Sequence, residues 1–164
     1  MIVEGKPAPA FDLALDRGAR VSLKALRGGP AVLYFYPADD TETCTLEAQA
    51  FSARASDFKA AGARVIGVSP DSIASHCKFR DKYGLTVELA CDADLEVCRT
   101  YGVWQSKTLF GRTYMGIERT TVLIDSRGRV ARIWRKVRLR GHVEGVLAAI
   151  AALANDGQRG ATRS

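Results

Sequence analysis

The chain has 164 residues, 47% hydrophobic and 26% charged, with a formal net charge of +6. That length and balance suit one domain with a substantial core and argue against a disordered chain. No uncharged apolar run approaches the ~20 residues that span a bilayer, and residues 1–6 do not open a signal peptide.

Residues 6–26 read as an entry hairpin. Residues 11–15 (FDLAL) alternate as a half-buried strand does, Asp16-Arg17-Gly18 turns the chain and Val21 returns it. Ser22 is placed to cap a short helical turn over residues 23–26, which Gly28-Gly29-Pro30 ends. Residues 31–36 (AVLYFY) are apolar on both faces, the mark of a central, doubly covered strand. Leu46, Phe51, Ala55 and Phe58 predict the buried stripe of one helix running to Ala61, with Gly62 as its left-handed terminator.

Residues 64–69 (RVIGVS) form a second buried strand, so strand, helix, strand implies a parallel pair joined by a right-handed crossover. Pro70-Asp71-Ser72 caps a helix over residues 72–83, closed by Gly84. A short strand over 87–91 leads through Asp92 and Asp94 into a helix reaching Tyr101. Residues 102–116 show no clear period and read as an ordered loop over the sheet. Strands over 120–124 and 130–134 flank the turn 125–128, and residues 143–154 form a last apolar helix. The expected organisation is a single domain over residues 1–154, a mixed α/β sheet covered by helices, with a frayed polar tail over 155–164.

The chemistry centres on the junction of the strand 31–36 and the helix after it. Pro37 breaks the strand, Ala38-Asp39-Asp40-Thr41 turns the chain, and Cys44 falls in the first helical turn. A thiol there meets the positive end of the helix dipole and unpaired backbone N–H groups, which stabilise negative charge on sulfur. The ionised sulfur is the reactive species, so Cys44 reads as a nucleophile. Thr41 can aim its hydroxyl at the same space, and the Pro37 ring limits water there. The missing part is a cation beside the sulfur, which Arg119 or one of several other arginines can supply. Taken one at a time, Cys44 reads equally as a small buried hydrophobe, and Pro37 and Thr41 as turn residues.

Pro37-x-x-x-Thr41-x-x-Cys44 is similar to the peroxidatic-cysteine motif of the peroxiredoxins. Residues 34–48 (YFYPADDTETCTLEA) resemble their bacterioferritin-comigratory (Q) branch, as do 67–72 (GVSPDS), 75–79 (SHCKF), 101–104 (YGVW), 111–125 (GRTYMGIERTTVLID) and 134–142 (WRKVRLRGH). The likeness runs from about Gly5 to Leu153. It implies a thioredoxin-like fold: a central mixed β-sheet flanked by helices, with an N-terminal β-hairpin. It also implies thiol peroxidase activity on hydrogen peroxide and alkyl hydroperoxides, with no cofactor and no metal. Recycling by thioredoxin or a similar reductant, a cytoplasmic setting with reduced cysteines and a monomer rather than a dimer go with it. It makes Arg119 the arginine that meets Cys44, and Glu47 the glutamate that orients the polar network.

The chain departs from that pattern at the resolving cysteine. The position five residues after Cys44 is Gln49, and in the other arrangement of the family the resolver falls where this chain has Arg80. Cys77 stands three residues earlier on nearly the same helical face and is the expected resolver. The alternatives are a one-cysteine cycle closed by an external thiol and a thioredoxin-like disulfide reductase, although Thr41 replaces that enzyme's first cysteine. Cys91 and Cys98 read as packed thiols. His76 and His142 stand alone and no CxxC pair occurs, which argues against zinc. The basic run 127–140 holds only Trp134 for stacking, so it reads as a solvated strand edge and not a nucleic-acid surface.

Overall fold

Alternation along one strand sorts the molecule into two cores. In β3 (Ala31–Phe35) every residue is buried. Ala31, Leu33 and Phe35 face one apolar cluster, whereas Val32, Tyr34 and then Tyr36 face the other. The computed structural model describes the backbone of residues 2–162 and the side-chain surroundings up to residue 156.

β3 is an interior strand of a seven-stranded mixed sheet, paired on both sides. β4 (Arg64–Ser69) and β5 (Glu88–Cys91) run parallel to it, as the strand-helix-strand order requires. β8 (Thr120–Ile124) pairs antiparallel on its other side and carries β9 (Val130–Trp134) at the edge. The entry hairpin, β1 (Asp12–Leu15) and β2 (Arg20–Ser22), extends the opposite edge through β5. The Ser22 hydroxyl accepts from the Ala25 N–H at 3.1 Å and so caps the 3-10 turn Lys24–Leu26.

One face of the sheet is covered by α1 (Glu42–Ala53), α2 (Ala55–Ala60), α3 (Ile73–Tyr83) and α5 (His142–Thr162). The other carries α4 (Glu96–Thr100), the entry hairpin and Ile117. Gly67 lies opposite Tyr34 in the β3–β4 register, and a Cβ there would fall 2.6 Å from the Tyr34 ring. The absent side chain makes room for that ring to stack on Phe51 at 4.7 Å.

Several boundaries differ from expectation. The single helix to Ala61 is two, broken at Arg54, whose guanidinium pairs with Asp57 at 2.6 Å. The break lets α2 bring Phe58 under Phe51, with ring centroids 5.8 Å apart. Leu46, assigned to the buried stripe, is 52% exposed, while Cys44, Glu47, Ala48 and Phe51 are the buried face. Residues 102–116 are not a loop: β6 (Trp104–Leu109) and β7 (Arg112–Ile117) form an antiparallel hairpin. Its two-residue turn, Phe110-Gly111, has φ of 52° and 76°, the left-handed pair that tight hairpins use. Periodicity hid it because most of the hairpin faces solvent on both sides. The tail expected from 155 is helical through Thr162, and residues 163–164 lie outside the described part. Among the described residues no helix is long and apolar enough to cross a membrane.

Candidate active site

α1 begins where β3 ends, at the carboxyl edge of the parallel strands, where open α/β sheets place their ligands. Thr41 is its N-cap residue, so Cys44 is the third residue of the helix and its backbone N–H is among the unpaired first-turn donors. Cys44 is 2% exposed. Arg119 reaches it from the segment between β7 and β8, donating through Nη2 to Sγ at 3.2 Å and through Nη1 to Glu47 Oε1 at 2.7 Å. Val137 N–H donates to the Arg119 carbonyl at 2.9 Å, tying the segment after β9 to the arginine's backbone. One guanidinium thus bridges a thiol and a carboxylate one helical turn apart.

That carboxylate breaks the polarity rule of helices, since Glu47 is fully buried on the face that Leu46 leaves. Only one of its oxygens is partnered; Oε2 has no hydrogen-bonding neighbour among the described residues. Burial lifts Glu47 from 4.5 to about 7, against the pull of Arg119. Burial also opposes the charge on Arg119, but Glu47 and Cys44 outweigh it and hold the guanidinium more firmly charged than usual.

A stability prediction follows from the sign of that rise. A carboxyl whose folded pKa is raised contributes most below its unfolded value and loses that contribution as pH climbs through the folded one. Glu47→Gln lacks the titration, so its unfolding free energy relative to the parent should increase between pH 4.5 and about 7. A rise from 4.5 to about 7 corresponds to on the order of 3 kcal/mol. Urea unfolding at the two ends of the window measures it; a difference that does not change with pH would contradict the raised Glu47 carboxyl.

Thr41 donates its hydroxyl to the Ala38 carbonyl at 3.0 Å instead of to Cys44. Pro37 is half-buried between the end of β3 and the turn. A residue not picked out in the sequence also bears on the site: Lys107, in β6, is partly buried. Burial and then the Arg119 charge hold its ammonium below the usual range, while Cys44 and Glu118 pull the other way. Its position depended on β6 and β7 pairing, which periodicity did not reveal. A cleft of about 820 Å³ between α5 and the β8–β9 turn, lined by Arg127 and Ile150 among others, shares no residue with the Cys44 site.

The other cysteines are differently placed. Cys77 donates from Sγ to the Asp16 carbonyl at 3.2 Å, on the entry-hairpin side of α3. Arg80, one turn on, holds the Asp16 carboxylate through Nε and Nη2 and donates to the Leu85 and Val87 carbonyls, all of it buried. Cys98 is fully buried, and burial with the Asp92 carboxylate beside it pushes its thiol well up. Burial raises Cys91 as well. Both therefore favour the unreactive thiol.

His76 is not isolated: its Nδ1 lies 2.7 Å from Asp39 Oδ2, within the turn that leads to Thr41. Asp39 and Asp71 approach it closely enough to share a cation, but hydrogen bonds from Tyr36, Ser69, Ser75 and the Asp39 N–H already occupy their oxygens. Asp39 thus has more than turn duty. The signal was Ser75-His76 in the first turn of α3, at the same sheet edge as the start of α1.

Known proteins share this geometry's sequence and fold. The model of the AhpC/TSA family matches residues 4–133. A putative peroxiredoxin bcp of Coxiella burnetii is 46% identical over 87% of this chain and 95% of its own length. Peroxiredoxin Bcp of Xanthomonas campestris is 43% identical over 89% of this chain and 92% of its own. Among solved structures, the Xanthomonas campestris bacterioferritin comigratory protein, studied for alkyl peroxide reduction, superposes with a TM-score of 0.86 at 40% identity, covering 94% of this chain and 99% of that one. PrxQ of Xylella fastidiosa gives 0.88 at 34% identity, covering 94% and 98%. The mixed sheet with its covering helices is thus the thioredoxin-like fold of those proteins. The chain belongs to the AhpC/TSA family, in its peroxiredoxin Bcp and Q branch.

Proposed function

We propose that the protein is a thiol peroxidase in which Cys44 attacks the peroxide. The observation that carries this reading is the 3.2 Å contact between Arg119 Nη2 and Cys44 Sγ. The Cys44 thiolate attacks one oxygen of hydrogen peroxide or an alkyl hydroperoxide, and the O–O bond breaks in line. Sulfur gains an S–O bond while the other oxygen takes the hydroperoxide's own proton and leaves as water or alcohol, so Cys44 is left as sulfenate, which gains a proton from solvent to become the sulfenic acid. Arg119 and the first-turn N–H groups of α1 hold the two oxygens and stabilise charge on the leaving one. The Thr41 hydroxyl donates its one hydrogen to the Ala38 carbonyl, which leaves it as an acceptor for the hydroperoxide O–H. Pro37 closes the turn without adding a competing N–H.

The sulfenic acid is returned to the thiol by a second thiol and then a reductant such as thioredoxin. Cys77 in the same chain is the resolver expected from the sequence. A disulfide requires Cα atoms within ~7 Å, whereas neighbouring helix axes lie ~8–10 Å apart, so this pairing needs α1 or α3 to unwind. A second reading, a one-cysteine cycle closed by an external thiol, is favoured by the Arg80–Asp16 pair. Breaking a buried pair of that kind costs ~3–5 kcal/mol, and it pins α3 one turn beyond Cys77. Peptide mapping after one equivalent of peroxide separates the two. The expected product is Cys44 as sulfenic acid or mixed disulfide with Cys77 free, and a quantitative 44–77 linkage would restore the intramolecular reading.

A further inference from the structure

The turn that presents Thr41 and Cys44 is fastened to α3 through Asp40 and, one residue earlier, through Asp39. Its Oδ1 accepts from the Tyr36 hydroxyl at 2.6 Å, and its Oδ2 accepts from the Ser75 hydroxyl at 2.8 Å and faces His76 Nδ1 at 2.7 Å. The Asp39 N–H donates to Asp71 Oδ2 at 2.8 Å, in the loop before α3. The His76 side chain is fully buried and that of Asp39 is 4% exposed. The next residue, Asp40, sits at φ 56° and accepts from Lys82 and Tyr83 of the same helix.

Both nitrogens of His76 face acceptors. Nε2 lies 3.0 Å from the Ala90 carbonyl of β5, which can only accept, so Nε2 carries a hydrogen. Nδ1 faces a carboxylate oxygen. The Tyr36 hydroxyl, 3.5 Å from Nδ1, gives its single proton to Asp39 at 2.6 Å. A neutral imidazole has one N–H, so without a further proton two lone pairs would meet at 2.7 Å inside the protein. His76 and Asp39 therefore hold one proton between them beyond a neutral ring and a carboxylate.

We propose that His76 is a positioning residue, and that its shared proton with Asp39 clamps the turn bearing Thr41 and Cys44 onto α3, so that loss of this proton at alkaline pH releases the turn. The functional consequence rests on the peroxidase reading; the clamp itself does not. The groups facing the ring are Tyr36, just after β3, Asp39 from the turn, Asp71 from the loop after β4 and the Ala90 carbonyl from β5, while Ser75 of its own helix meets the same Asp39 oxygen. Burial alone would lower the imidazole, but Asp39, Ala90 and Asp71 outweigh it and raise it above 6.5.

Nitrogen NMR of His76 in the intact, reduced protein reads the proton directly. The expected spectrum at pH 7 has both ring nitrogens protonated, with titration above the ordinary histidine range. A neutral ring at pH 7 overturns the clamp whatever the enzyme does. Amide hydrogen exchange over residues 38–44, corrected for its intrinsic pH dependence, should quicken by about tenfold as His76 deprotonates, the scale set by losing one hydrogen bond to a charged group. His76→Asn keeps a donor toward Asp39 without a titration, so its exchange and peroxide rate should lose that alkaline step. His76→Leu should show the released behaviour at every pH. An alkaline step that persists in His76→Asn overturns the positioning role. Peroxide consumption that is absent in the parent, with the NMR result as expected, would instead remove the peroxidase reading and leave the clamp standing.

Discussion

Cys44→Ser is expected to abolish peroxide consumption, by roughly 10³-fold or more, because a serine hydroxyl is not ionised near neutral pH and cannot enter the sulfenic state. The change removes little volume at a site only 2% exposed, so circular dichroism and thermal unfolding should stay close to the parent. Cys91→Ser and Cys98→Ser supply the contrast. Neither sulfur touches Arg119, and burial keeps both as thiols, so both variants should retain the parent rate if they fold. The measurement is hydrogen peroxide loss with a thioredoxin system or dithiothreitol as electron source. A Cys44→Ser protein that still turns over at the parent rate would remove the peroxidase reading. Salt-sensitive retention on DNA, unchanged by the same substitution, would point instead to a binding module built on the basic stretch 127–140.

Arg119→Ala should lower kcat/KM by ~10²–10³, the range seen when one preorganised donor to a developing oxyanion is removed. It deletes two interactions together, the 3.2 Å donation to Cys44 Sγ and the 2.7 Å pair with Glu47. The loss therefore exceeds that of a single hydrogen bond, and it leaves Glu47 buried without its cation. Arg119→Lys should fall between the two proteins. It keeps the charge, but one ammonium cannot reproduce the fork that spans Cys44 and Glu47. Single-turnover kinetics on reduced protein isolate the chemical step from recycling. Equal rates for the parent and Arg119→Ala would separate the guanidinium from catalysis, whatever its place beside the sulfur.

The parallel core was legible because its signals are local. Residues 31–36 and 64–69 are apolar runs bounded by turn residues, and the Ser72 cap and left-handed Gly84 bracket α3 at the expected ends. The β6–β7 hairpin was not legible from periodicity, since an exposed two-stranded ribbon needs no apolar face. Its signal was Phe110-Gly111 between residues rich in threonine and aromatics. Leu46 misled in a more instructive way. Hydrophobic spacing predicts the leucine inside, whereas the helix turns Cys44 and Glu47 inward against Arg119. Local rules fail where a site requires it.

Strand and helix order, the cysteine in a first helical turn and the block of residues around it were determined by the sequence by itself, because each depends on neighbours a few positions away. The reach of Arg119 across both Cys44 and Glu47, the burial of Glu47, the lodging of Cys77 against Asp16 and the docking of His76 on Asp39 were decided only by tertiary structure. Each joins segments separated by between 37 and 75 positions, and such contacts depend on how the sheet orders its strands and how far each helix rotates about its axis.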